Sequence, residues 1–117
     1  MLAKIKSINS ERIVFDNDYK LYSDHHDDCC ESHYLCFDDI KLDDVSELTF
    51  DFDATWFNKI EGYGIELIPT VELSTVKIPG YGSNNGYYST DLRLVLEKDD
   101  GSTLEFDIEE CQEITEC

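Results

Sequence analysis

Apolar and polar residues alternate with a period of two along most of the chain, the signature of half-buried strands. Leu2 to Ile8 alternates loosely, and Asn9-Ser10-Glu11 reads as a turn. Arg12 to Phe15 then runs into Asp16-Asn17-Asp18, a second turn-forming cluster, and Tyr19 to Tyr22 follows. This predicts a meander of three short strands. Near the other end, Leu92, Leu94 and Leu96 alternate with Arg93, Val95 and Glu97. Asp99-Asp100-Gly101 is a hairpin signal, after which Leu104, Phe106 and Ile108 alternate with Glu105, Asp107 and Glu109. The expectation is an antiparallel hairpin, apolar on one face and acidic on the other. Leu48, Phe50 and Phe52 alternate in the same way with Thr49, Asp51 and Asp53.

Helical spacing is scarcer. Ile40, Leu42, Val45 and Leu48 allow one or two turns within residues 37–48. Trp56, Phe57 and Ile60 predict a short helix over 54–63, ended by Gly62 and Gly64. Ile65 to Ile68 reads as a strand stopped by Pro69, and Val76 to Ile78 as another stopped by Pro79. The expected fold is mainly β, an antiparallel curled sheet or small sandwich with one or two short helices. A parallel α/β fold lacks the long helices it needs.

The chain of 117 residues suits a single domain spanning 1–117, long enough to bury a core without staples. With 41% hydrophobic and 12% aromatic residues it is too apolar for a disordered acidic tail. Twenty-seven Asp and Glu against nine Lys and Arg leave a net charge of −18. That balance excludes unassisted nucleic-acid binding, which needs a basic footprint, and attraction to an anionic membrane surface. Met1-Leu2-Ala3-Lys4-Ile5-Lys6-Ser7-Ile8 has no continuous apolar core of a secretory signal, and no stretch approaches the length of a membrane span. The cysteines, Cys29, Cys30, Cys36, Cys111 and Cys117, are odd in number and two are adjacent. An even, spread-out set would mark a secreted disulfide framework, so the expected setting is a reducing cytoplasm with free or metal-bound thiols.

All three histidines and three of the cysteines fall within His25-His26-Asp27-Asp28-Cys29-Cys30-Glu31-Ser32-His33-Tyr34-Leu35-Cys36. Imidazole, thiolate and carboxylate are the ligands of zinc and related metals. The candidate ligands are His25, Cys29, Cys30 and His33, with His26, Cys36 and Cys111 as further donors and zinc as the candidate cofactor. The alternative is structural: adjacent residues on a strand face opposite ways, and buried cysteine packs as a small hydrophobe. Two further readings use the same residues. Cys29 or Cys30 would serve as a nucleophile with a histidine base, or the two would form a vicinal disulfide.

Residues 80–89, Gly80-Tyr81-Gly82-Ser83-Asn84-Asn85-Gly86-Tyr87-Tyr88-Ser89, form neither a dinucleotide nor a phosphate loop, because the glycine spacing and the Gly-Lys-Ser/Thr ending are missing. Asn85-Gly86 is a turn signal. Tyr81, Tyr87 and Tyr88, carried by Asn85 and Gly86, are candidate ligand-binding residues, since tyrosine offers large contact area with few torsions. The alternative is a tight loop whose tyrosines cap the core. Asp16-Asn17-Asp18 opens like a calcium loop, but Tyr19-Lys20-Leu21 breaks the pattern and no bidentate Glu follows.

Asp28-Cys29-Cys30-Glu31 with His33-Tyr34, preceded by Ser23 and His25, resembles the signature of an uncharacterised family of phages and gut-type bacteria, a domain of unknown function. A second signature of that family, Ser-Asn-Gly-Tyr-Tyr-Ser, is similar to Asn84-Asn85-Gly86-Tyr87-Tyr88-Ser89, with Asn84 in place of the first Ser. Ile13-Val14-Phe15-Asp16-Asn17 also fits its pattern. The resemblance implies a bacterial or phage cytoplasmic setting, and one design joining the Cys/His cluster to the Tyr loop. It implies no activity.

Three functions follow. The first is a non-enzymatic acidic protein that binds a basic macromolecular partner, with Glu105, Asp107, Glu109, Asp51 and Asp53 as candidate anionic rows. One acidic face would mark such mimicry, and a scattered charge would mark solubility. The second is a metal or small-ligand site, hydrolytic or sequestering, built from the 25–36 cluster and the 80–89 loop. The third is an assembly role without a separate site.

Overall fold

The computed structural model describes residues 2–25, 32–71, 75–83 and 91–115. The strands are β1 (Leu2–Ile8), β2 (Arg12–Phe15), β3 (Lys20–Asp24), β4 (Ser32–Leu35), β5 (Thr49–Asp51), β6 (Phe57–Ile60), β7 (Gly64–Leu67), β8 (Val76–Ser83), β9 (Arg93–Glu97), β10 (Thr103–Asp107) and β11 (Glu113–Thr115). The helix described is the single turn α1 (Leu42–Val45). The fold is mainly β, as the period-two pattern predicts.

Six strands form a curled antiparallel sheet in the order β10-β9-β3-β2-β1-β5. The predicted meander is its middle: β1 pairs with β2 and β2 with β3, all antiparallel. Lys6 is the extra residue of a bulge in β1, because Ile5 faces Phe15 while Ser7 already faces Val14. Such a bulge raises the local twist and helps a sheet curl.

Two hairpins of this sheet turn in the same way. In the β2–β3 turn, the Asp18 N–H donates to the Phe15 carbonyl and the Phe15 N–H to the Tyr19 carbonyl. In the β9–β10 turn, the Gly101 N–H donates to the Lys98 carbonyl and the Lys98 N–H to the Ser102 carbonyl. The residue closing each turn is left-handed, Asp18 at φ 68° and Gly101 at φ 87°. This is the three-residue hairpin loop with a bulge at the left-handed position.

The second sheet runs β11-β8-β7-β6, with β4 also on β8. Here β11 lies parallel to β8, and the other pairs are antiparallel. The core lies between the sheets. Ile5, Ile13, Phe15, Leu21, Leu94 and Leu96 come from the first, and Leu35, Ile65, Leu67 and Ile78 from the second.

Three local expectations are corrected. Residues 54–63 hold no helix: Phe57–Ile60 is β6, paired with β7. Gly62, at φ 73°, closes the β6–β7 turn instead of capping a helix, and the Tyr63 N–H donates to the Ile60 carbonyl across it. Trp56, Phe57 and Ile60 suit either period, and cross-strand pairing decides. Pro79 does not stop its strand either, since β8 continues to Ser83. Pro79 stands where β8 changes partner: pairing with β7 ends at Gly64–Pro79 and pairing with β4 begins at Leu35–Gly80. At that junction its carbonyl still accepts the Cys36 N–H at 2.8 Å. Finally, the β9–β10 hairpin is not cleanly two-faced. Val95 is buried on the outer face, while Leu104, on the edge strand β10, stays 40% exposed.

Candidate functional site

The two segments singled out by composition meet in the second sheet. β4 lies antiparallel on β8, with His33 opposite Gly82 and Tyr34 opposite Tyr81. Residues 80–83 are therefore strand and not loop. Asn85, Gly86, Tyr87 and Tyr88 lie outside the described residues, as do His26, Cys29 and Cys30, and with them the nucleophile and vicinal-disulfide readings.

Gly64 and Gly80 permit this packing. A methyl on Gly64 would collide with the Ile78 carbonyl oxygen, and one on Gly80 with that of Cys111. Only hydrogen fits in either place. The close approach at Gly80 brings the 108–112 turn against β8 and places Gln112 beside β4.

His33 is buried, and its Nδ1 lies 2.7 Å from Gln112 Oε1. The Gln112 side-chain amide donates to the Glu109 carbonyl at 3.0 Å, so Oε1 is the accepting end and Nδ1 carries the proton. The His25 ring stands edge-on to His33, with centroids 5.9 Å apart. Cys36, half-buried, and Cys111, fully buried, are free thiols. Burial pushes the Cys111 thiol up, and Glu110 adds to the shift. Cys111 sits in the core, one residue from Gln112. Among the described residues, no group of three or more His, Cys, Asp or Glu side chains is arranged to hold a metal ion. The zinc reading rests on the residues around 26–31.

A cleft of about 700 Å³ opens between β4 and the strands β2 and β3. His25, His33, Tyr34, Leu35 and Cys36 form one wall, and Arg12, Lys20, Tyr22 and Glu97 form the other, with Ser10, Glu11, Ser23 and Asp38 around them. Ser23 ties the walls together, its hydroxyl oxygen accepting the Leu35 N–H at 3.1 Å. The sequence reading named His25, His33 and Cys36 from this lining and missed the second wall. Arg12, Lys20 and Tyr22 sit at polar positions of ordinary alternation, and only the register reveals them: Arg12 opposes Tyr22, and Lys20 opposes both Val14 and Glu97.

The cleft carries mixed charge. Lys20 Nζ is 3.4 Å from Glu97 Oε2, whereas Arg12 has no carboxylate within salt-bridge distance among the described residues. The Tyr22 phenol is held above its usual range, first by burial and then by Glu97, Asp24 and Glu105, with Arg12 opposing them. It stays protonated at neutral pH and can both donate and accept. Aromatic surface, the Arg12 and Lys20 cations, and hydroxyls thus converge on one concavity.

The proposed anionic rows are divided. Glu105 and Asp107 lie on β10 and Asp51 on β5, the opposite edges of the six-stranded sheet. Glu105 pairs with Arg93 at 3.2 Å, and Arg93 also reaches Asp24 at 3.0 Å. Asp51 and Asp107 each accept a backbone N–H two residues on, from Asp53 and Glu109 respectively, both at 3.0 Å. Those two carboxylates shape turns.

No protein-family model matches the chain, and no curated protein or solved structure matches it either. No helix among the described residues is long and apolar enough to cross a membrane.

Proposed function

We propose that the protein is a small-ligand-binding domain whose site is the cleft between β4 and β2–β3. The observation that carries this reading is the convergence of cations and aromatic rings on one concavity. A chain with nine basic residues places Arg12 and Lys20 in one concavity, with Tyr22 and Tyr34 beside them. A cleft of this size with convergent polar groups and aromatic surface is the usual form of a small-molecule site. Its mixture of Arg12 and Lys20 with Glu11, Asp38 and Glu97 suits a zwitterion or a small acid carrying further polar groups. Binding, not turnover, is the role proposed. On motif resemblance alone, we also propose a phage or gut-bacterial origin and a cytoplasmic setting.

The test is an NMR titration of amide resonances with amino acids, sugar phosphates and nucleotides. Binding by at least one of these classes, with shifts concentrated at Arg12, Lys20, Tyr22, Tyr34 and Cys36, is expected. Charge removal in Arg12→Gln should then weaken it. Shifts that map elsewhere, or no member binding below millimolar concentration, would reject the cleft as a ligand site.

A further inference from the structure

Three of the large hydrophobic side chains open to solvent are tyrosines, two on strands of the second sheet and one in its β6–β7 turn. Tyr34 is 47%, Tyr63 40% and Tyr81 37% exposed. Tyr34 and Tyr81 face each other across β4 and β8, with ring centroids 6.1 Å apart. On the other side of β8, Glu113 of β11 is the register partner of Tyr81 and is exposed. Tyr34, Tyr81 and Glu113 therefore form one row across three neighbouring strands, roughly 4.8 Å from strand to strand. Tyr63 flanks the row, its carbonyl accepting the Gly80 N–H at 2.6 Å. The Tyr81 hydroxyl is held above the usual phenol range by partial burial, and next by Asp39, Cys36 and Glu113. The Glu113 carboxylate thus borders the aromatic pair on the β11 side.

We propose that the row Tyr34–Tyr81–Glu113 is a docking surface for a lysine or arginine side chain of a basic partner protein. An aromatic face attracts a cation through its quadrupole, and a carboxylate at its edge completes an ion pair with a guanidinium lying on the ring. Charge complementarity selects this occupant. The row ends on Glu113, the register partner of Tyr81, in a chain of net charge −18. Phosphate-bearing chains are repelled by the same field. The row shares Tyr34 with the cleft, but Tyr81 and Glu113 are not among the cleft's lining residues, so variants at those two positions test the row apart from the cleft.

The probe is a short arginine–serine peptide of net charge about +4, compared with a lysine–serine peptide of equal charge and a neutral serine–glycine peptide, by fluorescence anisotropy at low and moderate salt. The two basic peptides should bind and the neutral one should not. Tyr81→Ala should weaken binding about threefold to thirtyfold, the range of a cation–π contact, while Tyr81→Phe keeps most of it. Glu113→Gln should weaken binding severalfold, and the charge-matched Asp100→Asn, on the β9–β10 turn, should not. Equal loss with Asp100→Asn would show a diffuse charge effect and overturn the proposal. Tyr81→Ala without effect would overturn it too, as would oligosaccharide binding that depends on Tyr81 in place of peptide binding. Amide shifts in the unmodified protein provide a readout free of any folding defect: they must fall on Tyr34, Tyr81 and Glu113.

Discussion

His33 donates from Nδ1 to Gln112 Oε1 across 2.7 Å, and this buried bond ties β4 to the turn that leads into β11. Leaving one member without its partner in an apolar setting should cost about 1–3 kcal/mol. Gln112→Leu is therefore expected to lower the urea midpoint without changing the slope. The double variant His33→Phe/Gln112→Leu should recover part of the loss, since both polar groups are gone. A fully additive pair would show that the bond contributes no coupling.

The two equivalent hairpins give opposite expectations for the same backbone position. Asp18 holds φ 68° with a side chain, whereas Gly101 holds φ 87° without one. Asp18→Gly should stabilise the fold by about 0.5–1 kcal/mol, because the left-handed penalty outweighs glycine's extra chain entropy. Gly101→Ala should destabilise by about 1 kcal/mol through backbone strain alone, since nothing lies within 4 Å of the added methyl. Gly80→Ala is of another kind. Its methyl meets the Cys111 carbonyl, and the loss should exceed that of Gly101→Ala by at least about 1–2 kcal/mol. Thermal denaturation of the three variants ranks them directly.

The Lys59–Glu110 pair, Nζ to Oε1 at 2.6 Å, predicts a stability window in pH. The hydrogen bond from Lys59 lowers the Glu110 carboxyl, and the same bond raises the Lys59 ammonium. The Glu110 contribution is complete above the ordinary glutamate value and is lost as pH falls through the lower folded value. The Lys59 contribution is complete below the ordinary lysine value and is lost as pH rises through the higher folded one. The difference in urea midpoint between the parent protein and Glu110→Gln should therefore form a plateau near neutrality and shrink at both extremes. A difference that stays constant down to strongly acid pH would contradict the pairing.

Thiol accessibility separates the cleft from the core. Cys36 is half-buried and lines the cleft, while Cys111 is fully buried with its thiol pushed up. Iodoacetamide should modify Cys36 at least about tenfold faster than Cys111 in the native protein, and unfolding should equalise the two. A ligand that occupies the cleft should slow Cys36 alone. Fragment-level mass spectrometry assigns each modification.

Much of the fold was legible in advance because strand periodicity and turn chemistry are local. The Asp16–Asp18 and Asp99–Gly101 clusters mark hairpins, and the Leu92–Leu96 alternation marks a core strand, with no knowledge of partners. Residues 54–63 and Pro79 were misread because their conformation depends on pairing: β6 needs β7, and Pro79 is tolerated only where β8 exchanges β7 for β4. The candidate site was legible in half. His25, His33 and Cys36 stand out by residue type, and Tyr81 by its glycine-rich surroundings. Arg12, Lys20 and Tyr22 do not, because polar residues on an alternating strand look alike until neighbouring strands are set in register.

The sequence by itself determined a mainly β chain with an acidic surface, its turns, and the clustering of His, Cys and Tyr in two segments. Each of these follows from side-chain chemistry over a few residues. Only the tertiary structure decided that β4 lies on β8, that the acidic rows divide between opposite sheet edges, and that two of the nine cations, Arg12 and Lys20, meet Tyr22 and Tyr34 at one cleft. Those outcomes depend on strand order and on close approaches such as Gly80 against Cys111, which join residues far apart in the chain. The net charge of −18 is a property of composition, and its arrangement is a property of the fold.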